Sequence, residues 1–156
     1  MGIIMHIENR IVNKNHPIME NDSIIQITKA LEEYNSRYNT QFRLGDKYAL
    51  FPNGDEYGYK EDEWPGNNHA GVYFVLSEDY QLLYVGQSKD LGLRFYQHFP
   101  PKKDLNNIVC TISEIWSTQP YFLYVAIAPD NAIWERLSLE EFLIQILKPI
   151  DNTLGK

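Results

Sequence analysis

Cysteine is nearly missing from this chain: Cys110 is the single one among 156 residues. It has no internal disulfide partner and there is no cysteine-based zinc site, usage that fits a reducing compartment. Long hydrophobic runs are missing too, since no stretch approaches the ~20 apolar residues of a membrane span. The opening Met-Gly-Ile-Ile-Met-His-Ile-Glu has neither the basic leader nor the apolar length of a secretory signal, so a cytoplasmic location is expected. Among the histidines, His6, His16 and His69 lack the short pairwise spacing of a zinc site.

Positive charge is also scarce. Lys and Arg number 14 against 21 Asp and Glu, a net charge of -7. The deficit is spread evenly, -4 over residues 1–68 and -3 over residues 69–156, so neither half is a basic nucleic-acid module. This balance argues against a broad electrostatic grip on phosphate backbones. Phosphate chemistry would need its cations gathered in one cleft, or supplied by a metal ion or a partner. What is present is ordinary for a globular protein, 44% hydrophobic and 22% charged, with eleven tyrosines.

In chain order, residues 3–12 suggest a short strand or hairpin half, and Asn13 to Asp22 a loop. Ser23, with Gln26 three residues on, makes a capping box for a helix over 23–38. That helix aligns Ile24, Ile27, Leu31, Tyr34 and Tyr38 on one stripe. Tyr48 to Phe51 reads as a short strand, Pro52 to Asp55 as a turn and Tyr57 to Tyr59 as the return. The acidic triplet Glu61 to Glu63 reads as a solvated loop. Asn106 to Trp116 is either helix or strand, with the β-branching of Val109, Thr111 and Ile112 favouring strand. Tyr121 to Ala128 is nearly all apolar, as in a strand covered on both faces. A last helix starts near Asn131, with Ile133, Trp134, Leu137, Ile144 and Leu147 as its apolar stripe until Pro149. Continuing that stripe from Leu137 to Ile144 passes through Glu140 or Glu141. A carboxylate there costs several kcal/mol in desolvation unless a cation or hydrogen bonds compensate.

The centre of the chain is residues 70–98. Two apolar runs, Gly71 to Leu76 and Leu82 to Val85, flank five polar or turn-prone residues, the signature of an antiparallel hairpin. Ser88 then offers an N-cap hydroxyl, Asp90 a first-turn charge, and Leu91, Phe95 and Phe99 helical spacing ended by Pro100-Pro101. Hairpin pairing brings Tyr73 and Tyr84 to one end of the sheet. Arg94, and His98 four residues later on the same face, follow on the helix.

Gly71-Val72-Tyr73 and Tyr84-Val85-Gly86, with ten residues between the tyrosines and Arg94 eight after Gly86, resemble the motifs of the GIY-YIG nucleases. The helix pattern Glu140, Leu143, Ile144, Leu147 and the following Pro149-Ile150-Asp151-Asn152 are similar to that family as well, and favour Glu140 over Glu141. Valine stands for isoleucine in each motif, and Gln87 stands where a lysine is common.

The resemblance, over about residues 70–152, implies an α+β fold, a small three-stranded antiparallel sheet flanked by helices, with residues 69–156 as the nuclease domain; residues 1–68 have no match in the family core and read as a helical N-terminal extension, an addition for substrate or partner recognition. It implies a divalent-metal-dependent endonuclease acting on DNA. Tyr73 is the expected general base, its phenol lowered by a nearby cation. Tyr84 and Arg94 are expected to orient water and hold the phosphate, with His98 assisting and Glu140 binding Mg²⁺ or Mn²⁺. Ser88, Lys89 and Asn152 are the expected substrate contacts, and a homodimer or a regulatory protein are the further partners. The rival readings are a catalytically silent protein-binding module, favoured by the acidic charge, and a partner-controlled toxin or restriction component.

Overall fold

A computed structural model of the chain describes residues 22–50, 63–104, 107–110 and 116–153. The strand or hairpin half expected at 3–12, the turn at 52–55 and its return at 57–59 lie outside these residues. So do most of the loop expected at 13–22 and the first two acids of the triplet. The elements run α1 (22–38), β1 (Tyr48–Ala49), β2 (Gly71–Ser77), β3 (Leu82–Ser88), α2 (Leu91–His98), β4 (Pro101–Asp104), β5 (Asn107–Cys110), β6 (Pro120–Ile127) and α3 (Glu135–Leu147). A 3₁₀ turn, Asp130–Ala132, precedes α3, and another, Asp151–Thr153, follows it.

The fold is α+β, with an antiparallel sheet of four strands rather than three, in the order β1-β6-β2-β3. The segment at Tyr48 supplies the additional strand, because it pairs with β6 through Tyr48↔Leu123 and Ala49↔Phe122. β4 and β5 form a separate two-stranded ribbon, so of the segment from Asn106 to Trp116 the described residues Asn107–Cys110 are strand, while 106 and 111–115 lie outside the described residues.

Side chains alternate across a strand, so one run of residues feeds two cores. On one face Val72, Phe74, Leu76, Val85 and Ala126 pack with Ile27, Leu31 and Tyr34 of α1 and with Leu139 and Leu143 of α3. On the other, Tyr73, Val75, Leu83, Leu123 and Val125 pack with Leu91 and Phe95 of α2, together with Phe99 and Trp64. All of β2 is buried, as a strand with neighbours on both edges and helices on both faces must be. The helix ahead of residue 69 thus shares a core with the sheet.

Three local expectations are corrected. Ser23 lies within α1, and its hydroxyl donates to the Tyr80 carbonyl (2.6 Å), fastening the helix to the β2–β3 turn rather than capping it. Asp90, not Ser88, caps α2: Leu93 N–H donates to Asp90 Oδ1 at 3.2 Å, while Ser88 Oγ shapes the turn, donating to Asp90 O (2.7 Å) and accepting from Asp90 N–H (3.1 Å). The buried stripe of α3 is Arg136, Leu139 and Leu143, whereas Ile133, Trp134 and Leu137 are exposed. Apolar residues occur nearly all around this helix, so hydropathy alone cannot set its rotation, and the phase is set by the surface it meets.

β3 is an edge strand of the main sheet, and its outer edge is held by one side chain. Asn152 is buried; its Oδ1 accepts from Val85 N–H and its Nδ2 donates to Val85 O, both at 2.8 Å. The amide acts as a one-residue strand at the middle of Tyr84-Val85-Gly86. Removing it leaves two buried backbone groups unsatisfied, at about 1–3 kcal/mol each. Asn152→Ala is expected to lower unfolding free energy in urea titrations by at least ~2 kcal/mol; wild-type stability would show that water or another group takes over the edge.

Candidate active site

Tyr73 lies opposite Gly86 in the β2–β3 pairing, and Val75 lies opposite Tyr84, so both phenols project from the same face of the sheet. The Tyr73 ring lies across the strand: a Cβ built on Gly86 falls 2.4 Å from both Cζ and Oη of Tyr73. Any larger residue at 86 displaces the phenol, which is the steric reason a glycine closes the second motif. The two rings have centroids 5.9 Å apart, tilted by 35°.

α2 supplies the next two groups. Phe95 meets Tyr73 edge-on (5.2 Å, 77°) and anchors the helix. One turn on, His98 presents Nε2 at 2.6 Å from Tyr73 Oη, with its ring 5.6 Å from that of Tyr84. Arg94, four residues before His98, is half-buried and donates from Nη1 to Gln97 Oε1 at 3.1 Å. Trp116, to which the sequence drew no attention, closes the side of the cluster, 5.5 Å from His98 and 5.8 Å from Tyr84 and stacked on Phe99. It stands alone after a segment without motif, so no sequence signal pointed to it.

The electrostatics link the remaining residues. Burial, above all, pushes the Tyr73 phenol well above its usual range; Tyr84 and the Glu140 carboxylate push the same way, and the Arg94 cation only partly opposes them. The expected cation-lowered phenol is therefore not what the surroundings favour: a side chain with 1% exposure loses more hydration than one nearby guanidinium returns. His98 moves downward, to about 4, through burial and then the Arg94 charge, so it is neutral at pH 7. The result is a protonated phenol against an unprotonated imidazole.

Of the two adjacent acids on α3, Glu140 is half-buried and Glu141 exposed. Among the described residues, no group of three or more His, Cys, Asp or Glu side chains converges on one point. A cation held here would take one protein carboxylate, with water and substrate phosphates as its other ligands, which suits the octahedral, reluctantly dehydrated Mg²⁺ better than zinc. Lys89 is exposed just before the Asp90 cap. The Ser88 hydroxyl and the Asn152 amide, expected on the substrate, are engaged by the protein's own backbone and hold β3 and the start of α2 in place.

A family model, GIY-YIG catalytic domain, matches residues 69–154, more than half of the chain. The chain belongs to the GIY-YIG family. GIY-YIG domains are nuclease domains that generally use divalent metals, so a nuclease-type endonuclease acting on nucleic acid is supported at the level of the family. No curated protein and no solved structure matches the chain. Among the described residues, no helix is long and apolar enough to cross a membrane.

A histidine that is charged when unfolded and neutral when buried makes folding pH-dependent. Between pH ~6.5 and ~4 the unfolded chain binds a proton at His98 that the folded chain does not, so stability is complete above this window and falls as pH drops through it. NMR titration of the His98 ring should give a midpoint of about 4, and His98→Gln should flatten the stability profile between these limits. A midpoint near 6.5 would contradict the buried, neutral imidazole.

Proposed function

We propose that this GIY-YIG protein is a divalent-metal-dependent endonuclease that hydrolyses phosphodiester bonds in DNA, with Tyr73, Tyr84, Arg94, His98 and Glu140 as its active site. The observation that carries the reading is the 2.6 Å hydrogen bond between Tyr73 Oη and His98 Nε2, with Arg94 and Glu140 both acting electrostatically on the phenol. Residues 69–156 form the nuclease unit in this proposal. The segment before them contributes α1 and β1 to its frame and serves recognition of substrate or partner.

The protonation states favour a relay over a resting tyrosinate. The attacking water gives its proton to Tyr73 Oη while Tyr73 passes its own to the Nε2 lone pair of neutral His98, so hydroxide is delivered to phosphorus without charging the buried phenol. Tyr84, on the same face, holds that water in line. Arg94 grips the non-bridging oxygens with its planar fork and stabilises the charge that accumulates on them. Glu140 would hold the divalent cation, Mg²⁺ or Mn²⁺, which when bound would supply Lewis acidity for phosphodiester hydrolysis. The Gly86 gap and the Asn152 clasp keep the phenols in register.

Supercoiled plasmid incubated with the protein and Mg²⁺ should be nicked, and chelator should stop it. Glu140→Ala should lower the rate at least ~100-fold with unchanged circular dichroism and melting temperature. Cleavage by that variant at the wild-type rate would remove Glu140 from the site.

A further inference from the structure

A groove of about 410 Å³ opens at the end of the sheet where β2 begins and β3 and β6 end. Its polar and aromatic walls come from Asn68, His69, Lys89, Asp130, Trp134 and Arg136. Two small residues, Ala70 and Ala128, line it as well, joined by a 2.8 Å hydrogen bond from Ala128 N–H to Ala70 O. Its most unusual feature is Trp134, a large apolar ring with 75% of its surface in water. Beside it Arg136 is buried to 3% exposure, its Nε donating to Gln87 Oε1 (3.0 Å) and its Nη1 to Ile133 O (2.6 Å). Those bonds fix the guanidinium 5.9 Å from the Trp134 ring centroid.

We propose that this groove is a stacking subsite for one unpaired nucleobase next to the phosphate being cut. The inference rests on the nuclease reading and specifies the substrate. Ala70 precedes Tyr73 by three strand residues, ~10 Å, and Arg136 precedes Glu140 by one helical turn, ~6 Å. The groove is therefore within a nucleotide or two of the proposed cleavage point. Stacking is the contact that a chain of net charge -7 can offer without a basic surface, because every base has a π-face. Lys89 and Arg136 supply two cations against one Asp130 carboxylate, which favours the flanking phosphate. The Asn68 amide and the Asp130 carboxylate offer hydrogen bonds to a base edge, exposed only when the base is out of the helix. Ile133 completes the lining beside the indole, so the groove offers a small apolar floor rimmed by charged and amide groups, which suits one flat base with its polar edge better than an extended protein surface.

Binding is measured on Glu140→Gln, so that cleavage does not intrude, using single-stranded oligothymidylate and its duplex with oligoadenylate. Trp64 is buried and Trp116 half-buried, so Trp134 is the indole in water, and the single strand should quench its emission. Adding Trp134→Phe should remove that quench, and adding Trp134→Ala should weaken single-strand affinity about tenfold with unchanged melting temperature. The duplex should quench much less. Unchanged affinity in the folded Trp134→Ala variant, or quenching that persists in Trp134→Phe, would overturn the subsite, and equal quenching by the duplex would overturn the requirement for an unpaired base. Trp134-dependent binding by a wild-type protein that cuts no DNA would instead refute the nuclease reading and leave the subsite standing.

Discussion

A buried phenol needs a hydrogen-bond partner, and Tyr73 finds one in His98 at 2.6 Å. That contact ties the central strand β2 to the last turn of α2, and it dictates much of what surrounds it. The ring reaches His98 only by passing over Gly86, where even a methyl group would collide with it. Gly86 stays beneath the ring only if β3 keeps its register, and the Asn152 amide fixes that strand on its open edge at Val85. The two glycine-tyrosine motifs are thus one steric arrangement: the glycine of the second leaves space for the tyrosine of the first.

The same burial sets the chemistry. Desolvation holds Tyr73 protonated and His98 unprotonated, so the pair starts in the state from which a proton can move along it. Arg94 acts on both groups in the same direction, depressing His98 and partly opposing the rise at Tyr73. Charge of both signs, from Arg94 and Glu140, acts on the buried phenol, and in the proposed reading this lets an acidic chain handle phosphate. Local placement substitutes for net charge.

How much of this was legible in the sequence follows from what each feature depends on. The hairpin, α2 and the central strand β6 were readable because apolar runs, turn residues and helical spacing are local. The grouping of Tyr73, Tyr84 and His98, with Arg94 and Glu140 acting on the phenol, followed from motifs of fixed spacing, which named these residues as candidates. Three things were not readable. The fourth strand depends on Tyr48 meeting β6 some seventy residues later, a pairing with no local signal. The rotation of α3, which exposes Trp134 and buries Arg136, is decided by the surface beneath the helix. The upward shift of Tyr73 reflects burial by Phe95 and its neighbours, which outweighs the nearby cation that the sequence alone brought to notice.

The central claim is that the Tyr73 hydroxyl transfers the proton of the attacking water. Its most direct test is the single-turnover cleavage rate of Tyr73→Phe on plasmid DNA at saturating protein, alongside DNA affinity. The variant keeps the ring over Gly86 and loses only the hydroxyl, so the account predicts a fall of at least ~100-fold in rate with DNA affinity unchanged. A wild-type single-turnover rate would contradict it.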